Sequence, residues 1–282
     1  MYLPLIGSFL EAVGTIIDKH NLNKTKINFK NYIVYGFFAS VLVMLPLLAF
    51  FWRVDSGAFL PKNLIILGLV VFFAIIANLC INYSLKRENL TEMEPIRVMQ
   101  PFFTILIAFI IFSEERNWLV ILFGVIASIA LVVAHVKKNH FVWNKYMVAT
   151  LFGSFFFAVE MAISKFIIPY YSPITFYFFR CFFVFAVCLI LFRPNLRELD
   201  KRTGGLILFS GLSWVLYRII LYMGYGSYGV ILTTIIFILT PVLIMLYAVF
   251  LLKEKFSLKQ AISAIVIIAC VVGAILVQAG IL

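Results

Sequence analysis

The chain has 282 residues, of which 64% are apolar and only 12% charged. Soluble domains average roughly 45–50% apolar and about 25% charged residues, and a domain of this length needs a polar shell over the surface it leaves exposed. The composition excludes a water-soluble globular protein and equally excludes disorder, whose signature is low hydrophobicity; the solvent for most of the chain is lipid.

The basic excess is 23 Lys+Arg against 12 Asp+Glu, a net charge of +11. In a soluble chain that would point to nucleic acid. Here the basic residues fall in short gaps between apolar blocks, as at Lys137-Lys138 and Lys201-Arg202. Membrane orientation and anionic headgroups explain them, and no nucleic-acid partner is expected. Cys80, Cys181, Cys188 and Cys270 lie inside apolar blocks without CxxC spacing and read as small buried hydrophobes. His20, His135 and His140 form no ligand-spaced cluster, so no metal, cofactor or catalytic residue is expected. The first block lacks a basic leader and carries Glu11 and Asp18, which argues against a cleavable signal peptide.

A bilayer-crossing helix needs about 20 mostly apolar residues. Blocks of that length, bounded by charge or turn residues, fall at 3–20, 31–52, 63–85, 92–112, 117–136, 146–168, 173–193, 204–224, 227–252 and 257–280. They lack the in/out alternation of a membrane barrel, and helices satisfy their own backbone polar groups in hydrocarbon. The expected fold is an all-α membrane protein with ten transmembrane helices. The gaps after spans 1, 3, 5, 7 and 9 hold sixteen Lys and Arg residues, against four on the opposite side (Arg53, Lys62, Arg116 and Lys165). That bias puts the odd-numbered gaps in the cytoplasm and both termini outside.

A charged side chain in hydrocarbon costs about 2.5–3.5 kcal/mol on insertion scales, so each one at depth needs a reason. In span 1, Glu11 lies about 16 Å along the helix, near mid-membrane. A carboxylate there can exchange protons near neutral pH; pairing with an arginine is the competing reading. Asp18, beside Lys19 and close to the interface, reads as solvated or paired with that lysine. Asn78, Asn82 and Tyr83 in span 3, like Thr233 and Thr234 in span 9, read as links between helices first and ligand contacts second. Span 4 opens with Glu94, Arg97 and Gln100; Glu94 and Arg97 are three apart on one face and read as a local ion pair, with gating the minority reading.

Glu160 of span 6 and Arg218 of span 8 lie roughly 21 Å in from the lysine-rich side, and Arg180 of span 7 roughly 12 Å in from the other. In a core of about 30 Å these heights coincide, so the three could meet. One reading is a structural network in which an arginine neutralises Glu160 and ties the helices together. The other has Arg218 receive an anionic group of a solute while Glu160 pairs elsewhere. Trp214, Tyr222 and Tyr225 share the helical stripe of Arg218 and would form a surface suited to a small organic ligand.

Residues 7–19, GSFLEAVGTIIDK, and 153–165, GSFFFAVEMAISK, are identical at seven of thirteen positions, from Gly7/Gly153 and Ser8/Ser154 to Lys19/Lys165. Pro101 and Glu114 are thirteen apart, as are Pro241 and Glu254. The chain therefore divides into one repeat over 1–138 and a second over 139–282, with five spans each. An odd number of spans inserts the second half upside down, the inverted arrangement of many secondary transporters. The prolines, which free a carbonyl and kink a helix, read as paired bending points or as packing kinks. Glu114 and Glu254 read as fixing short turns.

These motifs resemble the drug/metabolite transporter superfamily in its ten-helix EamA form. The likeness rests on the Gly-Ser-Phe…Lys first helix of each half, on QPFFTILIAFIIFSEER (100–116) and TPVLIMLYAVFLLKEK (240–255), and on Phe178-Phe179-Arg180 in span 7. The first half departs from the last pattern, with Phe38 aligned to Arg180. The resemblance implies a substrate cavity lined mainly by spans 1, 3, 4, 6, 8 and 9, with spans 5 and 10 peripheral. It also implies cytoplasmic termini, opposite to the Lys/Arg count. Small multidrug members of the superfamily carry a glutamate in their first helix, which implies proton coupling through Glu11.

The expected activity is secondary active transport of a small polar organic metabolite by alternating access, in the cell membrane, with H+ as candidate co-substrate. The chain would act as a monomer or homodimer and would not be an enzyme. Two arginines against one glutamate across spans 6–8 favour an amino acid-like zwitterion or an organic anion; Glu160 and Glu11 free in the cavity would fit an organic cation such as a quaternary amine. An intramembrane lipid-carrier enzyme would want clustered carboxylates, histidines or metal ligands, none of which is visible. A passive channel is opposed by the repeat and the paired prolines. The substrate-site candidates are Arg218, Glu160, Trp214, Tyr222, Glu11, Asn78 and Asn82, with Arg180, Glu94 and Arg97 as gating or structural ion pairs.

Overall fold

A computed structural model describes residues 2–24, 27–88, 90–135, 144–194, 199–242 and 258–281. Its helices are α1 (Tyr2–Lys24), α2 (Phe29–Phe51), α3 (Pro61–Arg87), α4 (Leu90–Arg97), α5 (Gln100–Ile111), α6 (Trp118–His135), α7 (Lys145–Ser164), α8 (Pro173–Phe192), α9 (Lys201–Tyr228), α10 (Val230–Phe237) and α11 (Leu258–Gln278). Short 3-10 turns cover Ser56–Phe59, Ser113–Glu115 and Ile168–Tyr170. Among the described residues there is no strand, only a bridge between Val54 and Tyr171.

Local chemistry sets several helix starts. The Asn144 side chain accepts from the N–H groups of Tyr146 and Met147, both at 2.9 Å, and Asn28, Ser172 and Asp200 cap α2, α8 and α9 in the same way. Pro61 and Pro173 occupy the first position of α3 and α8, where a missing N–H does no harm.

The side chains are arranged for lipid. Phe50 is 82% exposed and Trp118 73%, whereas Glu160 and Arg180 are sealed inside at 0% and 1%. In water that distribution would be unstable; in a bilayer it puts the apolar surface in its preferred solvent. Among the described residues, six helices (α2, α3, α7, α8, α9 and α11) are long and apolar enough to cross a membrane, and shorter apolar helical stretches cover Pro95–Ile111, Trp118–Ala134 and Val230–Val242. The chain is a multi-pass membrane protein.

Two expected spans are broken rather than kinked at their prolines. Span 4 is divided into α4 and α5 at Val98 and Met99, and α10 ends at Phe237 with a turn at Ile238. The proline ring removes the N–H that would pair with the carbonyl four residues back. For Pro101 and Pro241 those carbonyls belong to Arg97 and Phe237, the last residues of α4 and α10. The two breaks thus fall at equivalent places in the repeat. Glu254 and the rest of span 9 lie outside the described residues.

Packing follows the same symmetry. The most extensive pairings are α3 with α7, α1 with α9, α2 with α8 and α6 with α11. Exchanging the halves turns the α1–α9 pair into the α7–α3 pair and returns the other two to themselves. The repeated glycines belong to this arrangement. A Cβ on Gly7 would meet the Phe237 ring at 2.9 Å, and one on Gly153 would meet Ile81 at 2.8 Å, so each lets its helix approach a partner from the other half closely.

The repeated lysines mark opposite ends of the bundle. Lys19 donates to the carbonyls of Leu85 (2.6 Å) and Glu88, near Ile27, whose carbonyl accepts from Lys86. Lys165 instead meets Glu114 and Glu115. We call these the lysine-rich end and the far end. At the far end the loop after α2 is stitched to the loop before α8, with Asp55 N–H donating to the Tyr170 carbonyl at 2.8 Å and Ser172 N–H to the Arg53 carbonyl at 3.1 Å.

Candidate functional site

A cavity with about 980 Å³ of empty space, its open mouth included, lies between helices of both halves. Its lining is one-sided along the bundle. It takes Glu11, Thr15 and Asp18 from α1, Tyr32 to Ser40 from the start of α2, and Asn78 to Leu85 from the last third of α3. From α9 it takes Ser210 to Arg218, while Tyr222 and Tyr225 beyond them are buried. All of these lining residues lie toward the lysine-rich end; on the far side of Arg218 the described side chains Tyr222, Tyr225, Thr233 and Thr234 are buried. Arg97, Gln100, Phe157, Tyr177 and Arg180 complete the wall. Spans 2 and 7 thus contribute, contrary to the expected lining, because α2 packs against both α8 and α9. No lining residue comes from α6, α10 or α11.

The floor is an acid–base cluster. Arg180 Nε donates to Glu160 Oε1 at 2.8 Å and the Tyr222 hydroxyl donates to the same oxygen at 3.3 Å. Arg218 Nη1 stands 3.7 Å from Glu160 Oε2, an ion pair without a hydrogen bond, and neither atom has a hydrogen-bond partner. Aromatic faces flank both guanidiniums: Phe37 and Tyr177 at 5.8 and 5.5 Å from Arg180, Phe157 and Tyr217 at 5.5 and 5.8 Å from Arg218. The three residues expected to share one height do meet, and their bonds are unequal. Arg180 is committed to Glu160; Arg218 keeps donors to offer.

Asp18 forms the side wall and corrects the sequence reading. It faces the chamber and is paired not with Lys19 but with donors from α2 and α9. Its Oδ1 accepts from the hydroxyls of Tyr32 (2.6 Å) and Ser210, and its Oδ2 accepts from Trp214 Nε1 at 2.9 Å. Asp18 is seven residues from Glu11 and shares its helical face toward the cavity, whereas Lys19 is turned about 100° away, toward α3. The contact depends on Gly14, where a Cβ would lie 2.9 Å from the Trp214 indole nitrogen. Sequence reasoning missed Ser210, although it continues the Trp214–Arg218 stripe one turn earlier.

Asn78 and Asn82 line the cavity but do not tie helices together. Their amide groups donate to the carbonyls of Ala74 (2.8 Å) and Asn78 (2.9 Å) in their own helix. Thr233 and Thr234 are buried in α10; the Thr234 hydroxyl lies beside the Tyr225 hydroxyl of α9, a contact between helices, whereas Thr233 has no hydrogen-bond partner among the described residues. Glu11 and Arg97 face the cavity. The side chain of Glu94 lies outside the described residues, and with it the expected Glu94–Arg97 pair. Around the cavity and its floor, Glu11, Asp18 and Glu160 balance Arg97, Arg180 and Arg218, in place of the net positive charge inferred from spans 6–8 alone. Among the described residues no group of three His, Cys, Asp or Glu could hold a metal ion.

At the far end, Glu114 pairs with Lys165 at 3.0 Å. The neighbouring Glu115, which sequence reasoning passed over, does more: it pairs with Lys165 at 2.5 Å and accepts the N–H groups of Val230 and Ile231 at 2.9 and 2.8 Å. The available signal was the aligned Lys19/Lys165 pair, which called for a partner at each end.

The sequence profile of the EamA-like transporter family matches residues 1–135 and again residues 144–276. A solved chain described as "Crystal structure of protein" shares the fold, with a TM-score of 0.68 over 98% of this chain and 97% of that one at 16% sequence identity. No curated protein matches the chain. Matched once over each half of a membrane helix bundle whose packing repeats in the same way, the chain belongs to the EamA-like transporter family.

Proposed function

We propose that this protein is a secondary active transporter with ten transmembrane helices in two inverted five-helix repeats, carrying a small dipolar organic solute, such as an amino acid, by alternating access. The observation that carries the reading is the placement of the cavity: a chamber lined by charged and polar as well as apolar side chains, between two symmetric halves, toward the lysine-rich end, with the α9 and α10 side chains beyond its floor buried. Symmetric halves can exchange the open and the buried side by rocking about the chamber.

In this reading Arg218 receives the carboxylate or phosphate of the solute, because its Nη1 is a donor without a hydrogen bond in a low-dielectric floor. Arg180 acts as the counter-ion of Glu160 and keeps that carboxylate from competing for the solute. Trp214 lies one turn from Arg218, about 6 Å, and with Tyr32 it frames the Asp18 carboxylate, a surface suited to an ammonium group. The balance of three carboxylates and three arginines favours a zwitterion over a net anion or cation. Glu11, facing the same chamber, is the proposed proton-coupling group. The Lys/Arg bias makes the chamber open to the cytoplasm.

Thermal-shift screening of the purified protein against amino acids, sugar phosphates and quaternary amines tests this. Stabilisation by zwitterions that disappears in Arg218→Met is expected. Stabilisation by quaternary amines alone, abolished in Glu160→Gln, would contradict it.

A further inference from the structure

We infer that the solute route continues past the cavity floor along the α9–α10 hairpin, and that Glu115 is the latch holding this second half of the route shut; the inference rests on the alternating-access reading. Beyond Arg218, toward the far end, the hydroxyls of Tyr225, Thr233 and Thr234 are buried; Tyr225 and Thr234 have only each other within reach, strained beyond ordinary hydrogen-bond geometry, and Thr233 has no partner among the described residues. They continue the row begun by Glu160 Oε2 and Arg218 Nη1. Each buried polar atom without a partner is unfavourable, and native proteins contain few. Valine or phenylalanine would fill the same space without that loss. Side chains that are unsatisfied in the closed arrangement but polar throughout fit a path that gains its partners when the seam parts and admits a polar solute.

The seam is tight as it stands. A Cβ on Gly224 of α9 would sit 2.6 Å from the Thr233 methyl of α10, so no solute passes between these helices without their separation. Gly229, at φ 83°, turns the chain from α9 into α10, and here the halves are clasped. The carboxylate of Glu115, from the first half, accepts the first two N–H groups of α10, where the helix dipole favours negative charge. Lys165, from the second half, pairs with the same carboxylate. A Cβ at position 229 would lie 2.6 Å from Glu115 Oε1, so glycine serves both the left-handed turn and the close approach. Separating α10 from the first half on this side has to break the two N–H bonds, and moving α7 along with it breaks the Lys165 pair as well.

The test uses full-length protein in oriented vesicles, with Cys80, Cys181, Cys188 and Cys270 replaced, and a membrane-impermeant maleimide as probe. Thr234→Cys reports on the seam and Asn82→Cys on the existing chamber. Glu115→Gln keeps the size of the side chain and removes its charge. It is expected to raise the labelling rate of Thr234→Cys from the far side about tenfold, the scale of one charge-assisted hydrogen bond lost from the closed state, and to slow labelling of Asn82→Cys from the lysine-rich side. Lys165→Met should act in the same direction, Lys165→Arg should not, and either tests the latch if Glu115→Gln fails to fold. Unchanged Thr234→Cys labelling in a folded latch variant would overturn the inference. Faster Thr234→Cys labelling with unchanged Asn82→Cys labelling would uphold the latch and overturn alternating access, because both ends would then be open together.

Discussion

Replacing Arg180 with methionine separates the roles of the two floor arginines. Glu160 is fully buried; its Oε1 is 2.8 Å from Arg180 Nε, while its Oε2 is 3.7 Å from Arg218 Nη1. Removing one partner of a buried pair typically destabilises by about 3–5 kcal/mol, because the other charge is left inside without compensation. Arg218 still faces Glu160, so the loss should fall at the lower end, about 3 kcal/mol. At about 2–4 °C per kcal/mol for a chain of this size, the melting midpoint in detergent should drop by about 6–12 °C. Arg218→Met leaves the Glu160–Arg180 bond intact and should lower the midpoint by less than half as much, while abolishing solute-induced stabilisation. Scanning fluorimetry on both variants reads the difference directly. A midpoint lower in Arg218→Met than in Arg180→Met would refute the assignment of Arg180 as the counter-ion and Arg218 as the solute-facing group.

Three further outcomes follow from the same geometry. Glu11→Gln should lose pH-driven uptake in proteoliposomes while solute counterflow survives; undiminished pH-driven uptake would exclude Glu11 as the coupling group. Trp214→Phe removes one of the three donors to Asp18 and should destabilise by about 1.5–3 kcal/mol, the worth of a hydrogen bond to a charged group, with Gly14→Leu acting in the same direction by displacing the indole; differential melting of the two variants checks this. Glu114, in the turn between α5 and α6, has its carboxyl held below the usual range by its own backbone N–H and by Lys165. A carboxylate depressed in the folded state stabilises above its unfolded-state pKa and loses that contribution as pH falls through the folded value. The acid limb of the pH–stability curve should therefore be shallower in Glu114→Gln, by an amount kept small by its exposure.

Composition and periodicity were enough to read the membrane class and the helical blocks, because bilayer thickness imposes a length that no other context demands. The repeat was legible from Gly7/Gly153 and Lys19/Lys165, residues whose roles at close helix crossings and helix ends recur in both halves. Depth along a helix brought Glu160, Arg180 and Arg218 to one height, because helical rise is nearly invariant. What depth could not convey was the share of each bond: the preference of Glu160 for Arg180 depends on helix rotation and side-chain reach. Asp18 was misread for a related reason. Adjacency to Lys19 favoured a local pair, whereas rotation around α1 sends the two side chains to different neighbours. Glu115 was hidden because its partners are distant in sequence, Lys165 fifty residues on and two backbone N–H groups at the start of α10 more than a hundred. The breaks before Pro101 and Pro241 had a local signal, the missing N–H, but whether a helix bends or stops there depends on the packing around it.

Alternating access is tested most directly by exchange. With the best-stabilising compound of the thermal-shift panel as radiolabelled solute, uptake into proteoliposomes should saturate and should accelerate when the vesicles are preloaded with the unlabelled compound, because a loaded carrier returns faster than an empty one. Uptake that rises linearly with concentration and ignores the preload would contradict the account and point to an open pore.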